Sequence, residues 1–291
     1  MIDATLGEGG HSFEFLSRFP GLSVTGIDAD SSVLDVAKQR LAGFGNRMQF
    51  YRGRSQEFFA AFPAGQKRVN TVLADLGVSL FHYEKSGRGF SFRKDEELDM
   101  RIDPSQGVSA AVLLTRMSEK EIADILFKNA EERYSRRIAR AIVQERGRGT
   151  VSTTAALAEL VERAVPAAYR HGPIHPATRT FQALRIAVNG ELSGLPELLE
   201  GALKILEPGG RLGIISFHSL EDRIVKNFFK MKNRNCVCPP QVPSCVCGGR
   251  RAVNILTRKG VVAGEAEVKQ NPPSRSARLR VAEKVTEADS A

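Results

Sequence analysis

The chain has 291 residues, 42% hydrophobic and 26% charged, an ordinary composition for a soluble globular protein with one large domain or two modest ones. Lysine and arginine outnumber acids 42 to 33, and the net charge of +9 makes a nucleic acid a candidate partner, against the plainer alternative of a merely basic enzyme. No run approaches the ~18 apolar residues that span a bilayer, and four cysteines make no disulfide framework, so the expectation is a cytoplasmic protein without membrane association.

The first residues, Met-Ile-Asp-Ala, lack the basic end and apolar run of a secretory signal. They open directly on strand-like sequence with nothing to cover the sheet edge, which suggests a further N-terminal segment or a late start codon. Residues 23–27 then form a strand ending at Asp28, and 31–41 carry Val33, Leu34, Ala37 and Leu41 at helical spacing. Another strand, MQFYRG, leads to Ser55, and residues 69–74 form a buried strand ending at Asp75. Residues 77–107 read as loop. Ser118 to Glu121 is a capping box that opens a helix, and more helices are expected near 139–143, 154–165 and 178–192. No strand interrupts about 85 residues, the mark of a helical insertion. The sheet resumes with a helix over 198–206, a turn at Pro208-Gly209-Gly210 and a strand over 211–217. From about Asn233 the chain is loop-rich and basic. The fold class is therefore α/β, a Rossmann-like parallel-type sheet with an inserted all-helical domain: 1–107 and 194–291 form the sheet domain, and 108–193 the insertion.

The densest chemical signal is Asp3-Ala4-Thr5-Leu6-Gly7-Glu8-Gly9-Gly10-His11-Ser12, a strand running through three glycines into a helix. Glycines there let a ligand approach the backbone more closely than a Cβ allows. A P-loop needs Gly-Lys-Ser/Thr, and a dinucleotide loop needs G-x-G-x-x-G; neither is present. The acidic G-x-G-G form suits S-adenosylmethionine, which has no phosphate and carries a positive sulfonium. Asp28 ends the next strand, where a carboxylate can accept from both ribose hydroxyls. Ser55 falls where the adenine edge would lie.

In open parallel sheets, ligands bind beyond the carboxyl ends of the strands, where Asp75-Leu76-Gly77-Val78 sits. Methylating an amino group requires no cysteine nucleophile. It requires acceptors that hold the amino hydrogens and turn the nitrogen toward the methyl donor, and later a base for the proton. Asp75 is the candidate, either for that role or for anchoring the cofactor; the plain alternative is an acid capping the next turn. The sequence departs from the Asn/Asp/Ser-Pro-Pro-aromatic tetrapeptide of many amino-methyltransferases.

Six arginines (133, 136, 137, 140, 146 and 148) crowd one stretch, and Arg133, Arg137 and Arg140 fall on one helical face that could track phosphates. A solvated helix face is the plainer alternative. Arg170, His171, His175 and Arg179 add charge before a helix whose Phe181, Leu184, Val188 and Leu192 have core spacing. His218 should rim the crevice, with Ser219 and Asp222 as a possible helix cap, and Arg275, Arg278 and Arg280 are further phosphate candidates. Cys236-x-Cys238 and Cys245-x-Cys247 could chelate zinc, but one-residue spacing is tighter than the usual C-x₂₋₄-C, so no metal is expected.

Several long stretches carry a family resemblance: DATLGEGGHS (3–12), DLGVS (75–79), RGFSF (88–92), LDMRID (98–103), HPATRTFQALRIAVNGEL (175–192), SFHSLEDRIVK (216–226) and NPPSRSARLRVAEK (271–284). Across nearly its whole length the chain resembles the bacterial 16S rRNA (cytosine-N4)-methyltransferases. The resemblance implies a class I methyltransferase fold, S-adenosyl-L-methionine as donor, and a decoding-centre cytidine of 16S ribosomal RNA, free or in the small ribosomal subunit, as acceptor. By position it implies cofactor contacts at Gly9, Gly10, His11, Asp28, Ser55, Asp75 and His82. His82 stands where such sequences commonly have glutamine, and Ser55 where an aromatic is common. Two other readings compete: a catalytically impaired RNA-binding ribosome-assembly factor, and a methyltransferase for a small molecule or protein.

Overall fold

A computed structural model describes residues 1–63, 65, 68–147, 151–236, 238 and 249–286. In chain order its elements are β1 (Ile2–Asp3), α1 (Gly10–Arg18), β2 (Val24–Asp28), α2 (Ser31–Leu41), β3 (Met48–Arg52), α3 (Ser55–Ala60) and β4 (Val69–Asp75). The helices α4 (Leu80–Glu84), α5 (Ala110–Arg116), α6 (Glu119–Ala130), α7 (Ser135–Arg146), α8 (Thr154–Ala164), α9 (Ala167–Arg170) and α10 (Ala177–Asn189) follow. Last come α11 (Glu191–Ile205), β5 (Leu206–Ser216), α12 (Ser219–Lys232), β6 (Val253–Ile255), β7 (Val261–Val262), α13 (Glu265–Gln270) and β8 (Arg278–Lys284). They gather into two compact units, Met1–Gly77 with Ser193–Ala291, and Val78–Leu192. No helix among the described residues is long and apolar enough to cross a membrane.

The first unit is built on a sheet of order β3-β2-β1-β4-β5-β8-β6, with β7 attached to β8. β1 to β5 run parallel, while β8 is antiparallel to β5, β6 and β7. The opening strand is not at an edge. Ile2 pairs with Thr25 of β2 on one side and Val72 of β4 on the other, so this two-residue strand is central and both its residues are buried. Burial on both faces explains the near-continuous apolar run of β4. On one side α1 and α2 bring Leu16, Leu34, Ala37 and Leu41 against Leu6, Val24 and Met48. Elsewhere α11 and α12 contribute Leu195, Leu199, Ala202, Val225 and Phe229 to a core with Ile2, Ile27, Val72 and Ile214. Each such buried leucine, isoleucine, valine, methionine or phenylalanine is worth about 1.5–3 kcal/mol over leaving it in water. The Pro208-Gly209-Gly210 turn expected before the last parallel strand lies inside β5. Pairing with β4 starts at Val69–Leu206 and resumes at Thr71–Arg211, the register shift absorbing the extra residues.

The second unit is helical, its one isolated β-bridge among the described residues joining Glu97 and Thr153. Its core holds Leu114, Ile122, Leu126, Ile138, Ile142, Leu157 and Leu184, and also Leu98 and Met100. Those last two move the boundary. The loop segment 78–107, expected in the sheet domain, packs in the helical unit, with Met100 N–H donating to Arg88 O (2.7 Å) and Ala110 N–H to Asp99 O (2.8 Å). A loop without periodicity carries no sign of which core it joins. The Ser118 capping box forms, with Ser118 N–H donating to Glu121 Oε2 at 2.8 Å. The single helix expected over 178–192 is two, because Gly190 takes a left-handed conformation (φ 63°) that ends α10.

Candidate active site

The loop from β1 to α1 shows why its last two glycines differ. Gly9 caps α1 in the left-handed region (φ 81°), and a Cβ there would lie 2.8 Å from Leu41 Cδ1. The fold itself demands glycine at that position. Gly10 is the first helical residue, and the nearest atom to a Cβ built on it is Arg40 Nη1 at 3.8 Å. No described residue crowds a side chain there, yet the backbone is bare. Asp28, at the carboxyl end of β2, holds this loop: Gly7 N–H donates to its Oδ2 (2.9 Å), and Asp30 N–H to its Oδ1 (2.9 Å). A carboxylate offers about four acceptor sites, so pinning the loop does not use it up.

Below the loop runs a polar network that sequence reasoning missed. Asp3 is buried (1% exposed) at the end of β1, accepting from Ser12 Oγ–H of α1 at 2.6 Å. Loss of water pushes its carboxyl up to about 6, partly offset by the Ser12 bond. Two residues on, Thr5 Oγ1 accepts the backbone N–H of Asp75 at 2.6 Å, tying the end of β4 to the loop. His11, in the first turn of α1, sets its Nε2 3.3 Å from Asp75 Oδ2. The bond to Asp75 raises the imidazole's pKa, with burial working the other way. The other oxygen, Asp75 Oδ1, is buried and has no hydrogen-bond partner among the described residues. A buried carboxylate oxygen without a donor is costly, and no described residue supplies one here.

Gly9, Gly10, His11, Asp28 and Asp75 thus come together at the carboxyl edge of β1, β2 and β4. Ser55 joins them differently from expectation. It is buried (7% exposed) and its hydroxyl donates inward to Ala4 O, so its side chain supports the loop from behind. His82 belongs to the helical unit, where it is buried against Ser79 Oγ (Nδ1 at 3.1 Å) and the Phe90 ring (centroids 5.0 Å). The cap of α12 is His218 rather than Ser219; its Nδ1 takes the Glu221 N–H in a long contact of 3.5 Å. His218 Nε2 lies 3.2 Å from Glu221 Oε1 but without the direction of a hydrogen bond. Asp222 caps nothing: it takes Arg280 in a two-point pair (2.6 and 3.0 Å).

The arginines divide by burial. Arg136, Arg137 and Arg140 are exposed on α7, Arg140 3.5 Å from Glu119. Arg133 precedes the helix and lies over the Tyr169 and Tyr134 rings (4.8 and 5.4 Å). Arg146 turns inward to the carbonyls of Leu114 and Met117, closing the end of α5, and Arg280 is buried (6%) on Asp222, so neither presents its charge to a phosphate. Arg170 and Arg179 donate to backbone carbonyls, His175 packs on Phe92, and Arg278 donates to Lys259 O at 2.9 Å. Arg275 is exposed. Arg148, Cys245 and Cys247 lie outside the described residues, so the four-cysteine arrangement is not described.

A parallel β3-β2-β1-β4-β5 sheet completed by an antiparallel strand beside β5, with a bare glycine loop after its first strand and acids ending its second and fourth, defines a class I methyltransferase. The methyl donor of that class is S-adenosylmethionine. The residues fit this group: open backbone at Gly10, a half-buried carboxylate at Asp28 and the unpartnered Asp75 oxygen.

The chain belongs to the MraW methylase family, whose model matches residues 1–285. It is 54% identical over 285 residues to the ribosomal RNA small subunit methyltransferase H of Treponema denticola, covering 98% of this chain and 90% of that protein. It is 45% identical over 287 residues to the protein of the same name from Heliobacterium modesticaldum, covering 98% and 92%.

Proposed function

We propose that this methylase transfers the methyl group of S-adenosylmethionine to the exocyclic N4 of a cytidine in the decoding centre of small-subunit (16S) ribosomal RNA. The observation that carries the reading is the Asp75 carboxylate at the carboxyl end of β4, part exposed, held by His11 at Oδ2 and by no described residue at Oδ1. The names of the relatives support ribosomal RNA as the acceptor molecule, and the exposed Arg136, Arg137 and Arg140 of the helical unit supply phosphate contacts.

Bound, S-adenosylmethionine would supply an electrophilic methyl carbon on a positively charged sulfonium, whose S–CH3 bond breaks as the N–C bond forms, with the neutral thioether as leaving group. Asp28 would accept from the ribose hydroxyls, and the bare backbone at Gly10 would let the donor approach the loop closely. The Asp75 carboxylate accepts one N4 hydrogen, which orients the nitrogen lone pair for in-line attack. His11 holds Oδ2, keeping the carboxylate aimed. Once N4 has gained its methyl group, the nitrogen carries an acidic proton, which Asp75 is positioned to accept. The cytosine must be unstacked to reach this edge of the sheet.

The test is labelled methyl transfer to unmodified 16S RNA and to small subunits, followed by nucleoside mass spectrometry. The expected product is N4-methylcytidine, with Asp75→Asn slowing transfer by about 100-fold or more. A methyl group on a ring carbon or a ribose oxygen would overturn the assignment.

A further inference from the structure

α6 and α7 leave between them a hollow of about 420 Å³, lined among others by Phe127, Tyr134, Arg133, Arg136 and Arg137. Arg137 also borders a second hollow of about 450 Å³, with Arg140 and Gln144 further along α7. Phe127 is the unexpected member. At 59% exposure it is the most exposed aromatic ring among the described residues, and it makes no ring contact with another aromatic. Its neighbour across the hollow, Arg133, is held in place: its guanidinium lies over Tyr169 and Tyr134, and buried Glu132 fixes both by accepting Tyr169 Oη–H and Tyr134 N–H at 2.8 Å each. Arg136 and Arg137 stay exposed, and the acid in the hollow, Asp124, is met by Lys128 at 3.4 Å. The hollow therefore combines an unused aromatic face with three arginines.

We propose that this groove is a subsite for single-stranded RNA: one unpaired base stacks on Phe127, the flanking phosphates meet Arg136 and Arg137, and the strand continues past Arg137 toward Arg140. An acidic peptide would satisfy the arginines and leave the ring without a partner, whereas an RNA duplex hides its base faces in its own stack. An unpaired strand offers a π-face and phosphates in alternation, which is the pattern on α6 and α7. The inference rests on RNA being the substrate, and it places a contact on that RNA outside the reacting cytidine.

The experiment measures binding of fluorescein-labelled single-stranded RNA, the matching duplex and an acidic peptide to the full chain by anisotropy, without S-adenosylmethionine. Phe127→Leu, which keeps an apolar surface residue and removes the ring, is expected to weaken single-strand binding about 10-fold with an unchanged salt slope. Arg137→Ala is expected to weaken it and reduce the slope by about one. Equal binding by Phe127→Leu and wild type, or equal affinity of wild type for duplex or for acidic peptide, overturns the subsite. Methyl transfer is scored in parallel. A ring-dependent single-strand affinity without N4-methylcytidine would sink the proposed reaction and leave the groove standing; N4-methylcytidine formation with a ring-independent affinity does the reverse.

Discussion

Adding a methyl group to Gly9 or to Gly10 should move stability in opposite directions. At Gly9 an alanine takes on the left-handed conformation at about 1–2 kcal/mol. Its Cβ also meets Leu41 Cδ1 at 2.8 Å, and Leu41 is buried (1% exposed), so the crowding adds about 1–3 kcal/mol. The stiffer unfolded chain returns about 0.4–1 kcal/mol. The net is a loss of about 1–5 kcal/mol. Gly10 has ordinary helical geometry with no atom nearer than 3.8 Å to the new carbon, so alanine there gains about 0.5–1 kcal/mol of helix stability. Urea unfolding of both variants reads these values, and calorimetric titration with S-adenosylmethionine reads the site. Gly10→Ala should be as stable as wild type or more so, yet bind the cofactor at least about 10-fold more weakly, a loss of roughly 1.4 kcal/mol. Wild-type cofactor affinity in Gly10→Ala would refute the cradle, and wild-type stability in Gly9→Ala would refute the steric account.

Asp3 has a pKa of about 6 against an ordinary 3.8, so the folded state holds its proton more tightly between those values. Its contribution to stability therefore falls as pH rises through that window, by about 3 kcal/mol in total. Asp3→Asn should lose this fall, and urea midpoints that stay parallel in the two proteins from pH 4 to 7 would contradict it. For His11 the raised pKa means that its pairing with Asp75 contributes below the ordinary value of 6.5 and fades as pH climbs through the higher folded value. Asp75→Asn should lower that titration in an NMR pH series. Asp28→Ala should weaken cofactor binding and loosen the loop together, since Gly7 loses its acceptor; an unchanged affinity by calorimetry counts against the ribose contact. Arg280→Ala should cost about 2 kcal/mol, below the range for fully buried pairs because Asp222 is 22% exposed, and leave the salt slope of RNA binding unchanged. A smaller RNA salt slope in that variant would show that Arg280 faces the nucleic acid after all.

Much of the site was legible in the residues. The glycine loop, the acid ending β2, the acid ending β4 and the helix over Ser31–Leu41 are local patterns, because a tight turn, a strand end and a 3.6-residue period each involve neighbours in the chain. The capping box at Ser118 is legible for the same reason. The sequence determined the family, the fold class and the position of the glycine loop. Only the tertiary structure decided which charges remain in water. Arg146 and Arg280 look like Arg137 in a string of letters, yet the first two are held by carbonyls and by a carboxylate, respectively, and the third faces solvent. Asp3 gave no sign of its burial, nor Phe127 of its exposure, and Leu98 and Met100 gave none of the core they join. Those properties depend on which distant segments close over a side chain, and burial, which sets both pKa and availability to a ligand, is a sum over contacts that no local pattern encodes.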